Sequence, residues 1–101
     1  MRIKSFDGTS LSVKIIGEGR PVVLVHGFLS SGKVNWEDYG TATLLAERGF
    51  QVILPDLRGH GGSDVPTEPS AYPPDVLARD LATLIEHLGL ADYDLLGYSL
   101  G

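Results

Sequence analysis

The sequence predicts an α/β fold: a mostly parallel sheet with an N-terminal antiparallel hairpin and flanking helices. Three observations lead there. Short unbroken apolar runs rich in β-branched residues occur at Val22-Val23-Leu24-Val25, at Val52-Ile53-Leu54 and in the segment ending Leu95-Leu96. Such runs suit parallel strands covered on both faces. Helical periodicity fills the gaps between them, and strand–helix–strand–helix–strand implies right-handed crossovers within one sheet. An alternating segment, Leu11, Val13 and Ile15 among polar residues, precedes all of this.

The elements follow in order. Asp7-Gly8 is a strong turn pair, so residues 2–6 and 10–16 are predicted to form the opening hairpin. Gly17-Glu18-Gly19 reads as a turn. A first helix is expected over about 36–48, with Asn35 as its N-cap, Glu37 and Asp38 in its first turn and Gly49 after its end. A second is expected over 75–88, where Leu77, Leu81, Leu84, Ile85 and Leu88 form one apolar stripe. Pro73 and Pro74 suit its start, and Gly89 its left-handed stop. Residues 58–74, rich in Gly and Pro, make a loop longer than compact domains usually carry. Such loops are often functional, and this one leaves a strand at the edge where α/β sheets bind ligands.

Composition narrows the function. The 101 residues correspond to one small domain, with a formal net charge of -5, scattered acidic residues and no basic run. Nucleic-acid binding and adhesion to anionic membrane are therefore not expected. There is no cysteine, which excludes disulfides and thiolate metal sites. The N-terminus lacks the apolar core of a signal peptide, and no apolar run approaches the ~20 residues that span a bilayer. A cytoplasmic location is the resulting expectation. No carboxylate–histidine cluster has metal-site spacing, and no cofactor is implied.

The chemistry lies in three stretches, each at a strand end. Gly97-Tyr98-Ser99-Leu100-Gly101 has the glycine–any–serine–any–glycine form of a nucleophile elbow, a strained turn that presents a serine hydroxyl. The pattern alone is short enough to arise by chance. It gains weight because Tyr93-Asp94-Leu95-Leu96 runs into it as a strand. Val25-His26-Gly27-Phe28 ends the first apolar run, where a backbone N–H, that of Phe28, can face a developing oxyanion. The N–H of Leu100 is the natural second donor. Pro55-Asp56-Leu57-Arg58-Gly59-His60-Gly61-Gly62-Ser63 leaves the second run.

Together, and in this order, these stretches resemble the α/β-hydrolase superfamily, specifically its serine esterase, lactonase and haloperoxidase-like members. The resemblance implies Ser99 as nucleophile, Phe28 and Leu100 as oxyanion-hole amides, and His26, Gly27, Gly97 and Gly101 as loop-shaping residues. In some members the residue before the nucleophile, here Tyr98, lines the acyl pocket. The implied activity is cleavage of a small-molecule ester through an acyl-enzyme. A cofactor-free haloperoxidase, a C–C bond hydrolase and a non-catalytic ligand receptor are the alternatives. Dehalogenases and epoxide hydrolases of this fold use aspartate at the elbow, so Ser99 argues against both.

In this fold the triad acid and histidine follow the serine, and only Leu100 and Gly101 follow Ser99. The resemblance thus implies that residues 1–101 are the N-terminal portion of a single domain, truncated at the elbow. Alone they are expected to be inactive, and unstable or associated, with the missing C-terminal part as a partner. The strand ending at Tyr98 is central in the family's usual order, and truncation leaves it an exposed edge.

Other residues have plainer expectations. His26 is structural in the resembling family. His60 is expected to hydrogen-bond within its loop, and His87 to favour the negative end of a helix dipole. Asp56 and Arg58 read as an ion pair that organises the loop. Asp92 and Asp94 are expected to face solvent. Trp36 and Tyr39 either line a substrate pocket or pack in the core, with packing favoured.

Overall fold

The computed structural model of the protein describes residues 1–26, 31–37 and 40–97. Its first strands, β1 (Arg2–Lys4) and β2 (Ser10–Ile16), form the expected antiparallel hairpin, with Arg2 opposite Ser12 and Lys4 opposite Ser10. β1 is shorter than the predicted 2–6 because Ser5 already belongs to the turn. The Ser5 N–H donates to the Thr9 carbonyl (2.8 Å), and the Asp7 carboxylate accepts the Thr9 N–H (3.1 Å). Gly8 sits at φ 88, a conformation that a residue without Cβ adopts freely.

Three further strands, β3 (Arg20–Val25), β4 (Phe50–Pro55) and β5 (Asp94–Gly97), complete a mixed sheet of order β1-β2-β4-β3-β5. β2 pairs antiparallel with β4, whereas β3 runs parallel to both β4 and β5. Side chains alternate across the central strands, as pleating requires. Val23, Val25 and Ile53 face one core with Ile3, Val13, Leu57 and Leu84. Val22, Leu24, Val52 and Leu54 face the other with Ala42. Burial on both faces explains why these strands read as unbroken apolar runs. Complete burial of each aliphatic side chain contributes about 1.5–3 kcal/mol.

Helix α1 (Thr41–Glu47) covers the second face and α2 (Val76–Leu88) the first. α2 agrees with its predicted stripe, and Gly89 closes it at φ 67. The first helix differs from expectation. A single helix over 36–48 is replaced by a π-helical turn, Lys33–Glu37, followed by the shorter α1. The break falls at Gly40, which adopts φ 80 and ψ 0 and cannot continue a right-handed helix. Asn35 therefore lies inside the π-helical turn instead of capping a helix. Glu37 forms an ion pair with Lys14 of β2 (2.8 Å). Asp38 and Tyr39 fall outside the described residues. Trp36 packs against Leu24, Leu54 and the rest of the α1-side core. Its Nε1 is buried and has no hydrogen-bond partner among the described residues.

β5 forms one edge of the sheet among the described residues. Leu95 and Leu96 are about half exposed there, and an open apolar groove of about 430 Å³ runs between β5 and α2, walled by Leu81, Ile85, Tyr93 and Leu95. Asp92 and Asp94 are exposed as expected, and both also pair with Arg20 at the start of β3 (2.9 Å each). The bond to Arg20 holds the Asp94 carboxyl below its usual range.

Candidate active site

Three parallel strands end side by side, and each delivers one of the three motifs. β3 and β5 are neighbours with Val25 opposite Gly97, so His26 follows β3 directly beside the last described residue of β5. β4 lies on the other side of β3 and runs from Pro55 into Asp56. Of the seven residues with predicted site roles, His26 and Gly97 are described. Gly27, Phe28, Ser99, Leu100 and Gly101 lie outside the described residues, as does Tyr98.

His26 is fully buried, and its Nε2 accepts the N–H of Leu57 (2.9 Å). An accepting Nε2 carries no proton, so the imidazole is neutral with its proton on Nδ1. The lone pair a general base would use is already engaged with backbone. The ring of His26 lies 5.1 Å from that of His60, centroid to centroid, at 53°. His60 Nδ1 donates to the carbonyl of Arg58 (3.0 Å), a bond within its own loop.

The predicted Asp56–Arg58 ion pair is not formed; the two side chains serve different partners. Asp56 Oδ1 accepts the N–H of Gly32 (2.9 Å), and Oδ2 accepts that of Gly62 (3.0 Å). Arg58 is 1% exposed and uses all five of its N–H donors. Nε and Nη2 donate to Asp80 (2.7 and 2.6 Å), Nη1 and Nη2 to Asp7 (2.8 and 3.2 Å), and Nη1 also to the Ala71 carbonyl (2.8 Å). The planar fork of guanidinium fits two carboxylates at once, and a lone carboxylate two residues away in sequence offers no such geometry. Asp80 raises the Arg58 guanidinium above its ordinary value, with Asp7 adding to the effect. In return Arg58 holds the Asp7 carboxyl well below the usual carboxylate range. The Ser5 hydroxyl also bonds Asp80.

Neither Asp7 nor Asp80 is among the residues the sequence pairs with Arg58. The signal for Asp80 is its position: Val76, Asp80 and Leu84 lie at i, i+4 and i+8, all three are buried, and a carboxylate on a buried stripe needs a cation. Asp7 offered no such signal, because its turn role already accounted for it.

The glycine-rich loop is also sewn to the hairpin. The Asp56 N–H donates to the Ser12 carbonyl (2.9 Å) and the Asp64 N–H to the Ser10 carbonyl (2.8 Å). Ser63 Oγ accepts the Ser12 N–H (2.8 Å) and donates to the Asp56 carbonyl (2.6 Å). Arg2 reaches Asp64 (3.0 Å). The loop that follows β4 thus continues along β2 as an ordered segment. Among the described residues no three His, Asp or Glu side chains are grouped to hold a metal ion, and no helix is long and apolar enough to cross a membrane.

The family model for the alpha/beta hydrolase fold matches residues 20–101, and the chain belongs to that family. Among curated proteins it is similar to epoxide hydrolase 2 of Siraitia grosvenorii, 35% identical over 96% of this chain and 30% of that protein. It is also similar to a non-heme haloperoxidase of Rhodococcus erythropolis, 36% identical over 98% of this chain and 34% of that protein. Among solved structures, an esterase from Exiguobacterium antarcticum superimposes with a TM-score of 0.89 and 36% identity, over 100% of this chain and 36% of that one. An epoxide hydrolase from Vigna radiata gives 0.87 and 31%, over 100% of this chain and 32% of that one. The chain therefore spans about a third of the length of these relatives, which are hydrolases and a haloperoxidase of one superfamily.

Proposed function

We propose that residues 1–101 carry the nucleophile and oxyanion loop of a serine hydrolase that cleaves small-molecule esters in the full-length polypeptide. The observation that carries this reading is the register of Val25 against Gly97. It sets the residues that precede Phe28 and Ser99 on adjacent parallel strands, which supports assigning one amide from each segment to the same substrate carbonyl. In this reading Ser99 Oγ attacks the ester carbon while a histidine supplied downstream takes its proton. The N–H groups of Phe28 and Leu100 stabilise the oxyanion, and loss of one such donor costs about 10²–10³ in rate. The alcohol leaves with the proton, and water then releases the acid from the acyl-enzyme. His26 shapes the loop and does not act as base, because Leu57 occupies its Nε2.

The haloperoxidase relatives favour a second reading, in which hydrogen peroxide in place of water takes the acyl group from Ser99 and the peracid so released oxidises halide, returning to the acid. Epoxide opening is disfavoured despite the epoxide hydrolase relatives, because it calls for a carboxylate where this chain has Ser99. A fluorophosphonate probe offered to the full-length polypeptide separates these cases from a non-catalytic receptor. Labelling that disappears in Ser99→Ala, together with ester hydrolysis that exceeds halide oxidation and epoxide opening, is the expected result. Absence of labelling at Ser99 would sink the proposal.

A further inference from the structure

We infer that Asp56 is a positioning residue for the oxyanion loop, an inference that rests on the serine hydrolase reading above. Residues 27–31 bear the amide assigned to Phe28, and both flanks of that segment are tied to the end of β4. On the near side His26 Nε2 accepts the N–H of Leu57 (2.9 Å). On the far side the Gly32 N–H donates to Asp56 Oδ1 (2.9 Å). Two consecutive residues, one through its carboxylate and one through its backbone, thus bracket the segment.

The carboxylate is itself held. The Asp56 N–H and carbonyl are engaged by the Ser12 carbonyl (2.9 Å) and the Ser63 hydroxyl (2.6 Å). Its second oxygen takes the Gly62 N–H (3.0 Å), and the turn there is moulded around it. A Cβ on Gly61 would come within 2.3 Å of Oδ2 at a φ of +49, and one on Gly32 would lie 3.3 Å from Leu54 Cβ and 3.5 Å from Oδ1. Gly61 thus permits the close approach of the carboxylate to the Gly62 amide, whereas at Gly32 the tight neighbour is Leu54 and the carboxylate sits at ordinary contact distance. No other side-chain chemistry of this size suffices: an ionised carboxylate accepts at both oxygens, whereas an amide accepts at one and presents donors at the other.

Asp56→Asn is therefore the informative change. It keeps shape and one hydrogen bond, so the fold is retained, but one of the two amides then meets an NH₂ group. If the Gly32 tie slackens, the oxyanion donor is misplaced and turnover falls while ground-state binding is spared. Turnover is measured per active site, after titration with fluorophosphonate, so that any unfolded fraction drops out. The expected result is a kcat lower by about ten- to a hundredfold. KM should stay within about threefold, and affinity for an alkyl boronic acid, which mimics the tetrahedral state, should fall in step with kcat. Amide hydrogen exchange should quicken at Gly32 or Gly62 and stay unchanged in β3. Tyr72→Phe, which removes the hydroxyl bond to the Pro66 carbonyl (2.7 Å) in the same loop and makes no contact with Asp56, should keep wild-type kcat.

An unchanged kcat per titrated site overturns the inference in Asp56→Asn where exchange quickens at Gly32, or, where it quickens at Gly62, in Asp56→Ala, which removes both bonds. So does a change in KM alone, and either outcome leaves the hydrolase reading intact. Failure of wild-type Ser99 to react with the probe removes both.

Discussion

Replacement of Arg58 by methionine is the sharpest test of how the site's long loop is held. Arg58 is 1% exposed and its five donors meet two carboxylates and one carbonyl, so nothing in the substituted side chain can take their place. Asp7 keeps 31% of its side chain in solvent and can turn to water. Asp80 cannot: its side chain is 2% exposed, and loss of the guanidinium leaves it, among the described residues, only the Ser5 hydroxyl. Removal of one partner from a buried ion pair costs about 3–5 kcal/mol, mostly as the uncompensated charge that remains. That is a large share of the 5–15 kcal/mol typical of a folded domain. Urea titration of the full-length polypeptide at neutral pH, followed by far-UV circular dichroism, should show the loss as a lower midpoint at unchanged slope. The double variant Arg58→Met with Asp80→Leu should recover to within about 2 kcal/mol of wild type, because an apolar pair leaves no buried charge. A loss below about 1 kcal/mol in the single variant, or simple additivity in the double, would refute the reasoning.

Two further predictions concern backbone and pH. Gly19 and Gly49 directly precede the first paired residues of β3 and β4, and a Cβ on Gly19 (φ +128) would lie 1.9 Å from the Gly49 carbonyl oxygen. Gly19→Ala should therefore cost more than about 3 kcal/mol in thermal unfolding, against about 1 kcal/mol for Gly40→Ala, where the left-handed φ of +80 is the sole penalty and the space is open. Equal losses at the two positions would show that close approach is not the cause. Arg58 depresses the folded carboxyl of Asp7 below its ordinary 3.8, so in acid the unfolded chain takes up that proton first. The stability Asp7 contributes is then full above pH 3.8, declines below it and is lost as pH falls through the folded value. Urea titrations between pH 7 and pH 2 should show the gap between wild type and Asp7→Asn narrowing in acid, and a constant gap would contradict the pairing.

The strands were legible because β3 and β4 are buried on both faces, and unbroken apolar runs such as Val22 to Val25 have few other uses. α2 was legible from its stripe, and the hairpin from Asp7-Gly8. The first helix differs from expectation because the end signals at Asn35 and Gly49 span Gly40, whereas the left-handed turn there depends on backbone conformation that such signals do not record. The Asp56–Arg58 pairing failed for a similar reason. Proximity along the chain is a poor guide to partners when β4 and α2 bring Asp80, 22 positions away, against the guanidinium. The dual role of Asp56 is only half local, since one amide it accepts is that of Gly62, six positions on in the same stretch, and the other that of Gly32, 24 positions away.

The sewing of the glycine-rich loop to the hairpin has a kinetic consequence. Ser12 meets Ser63 across 51 positions and Arg2 meets Asp64 across 62. Chain closure over such distances is slow and must precede any reward from the contacts it makes. During synthesis the hairpin emerges before the loop it is sewn to and cannot settle until the segment around residue 64 has left the ribosome. In that interval its edge is a strand without a neighbour, so residues translated before the loop are secured only after it.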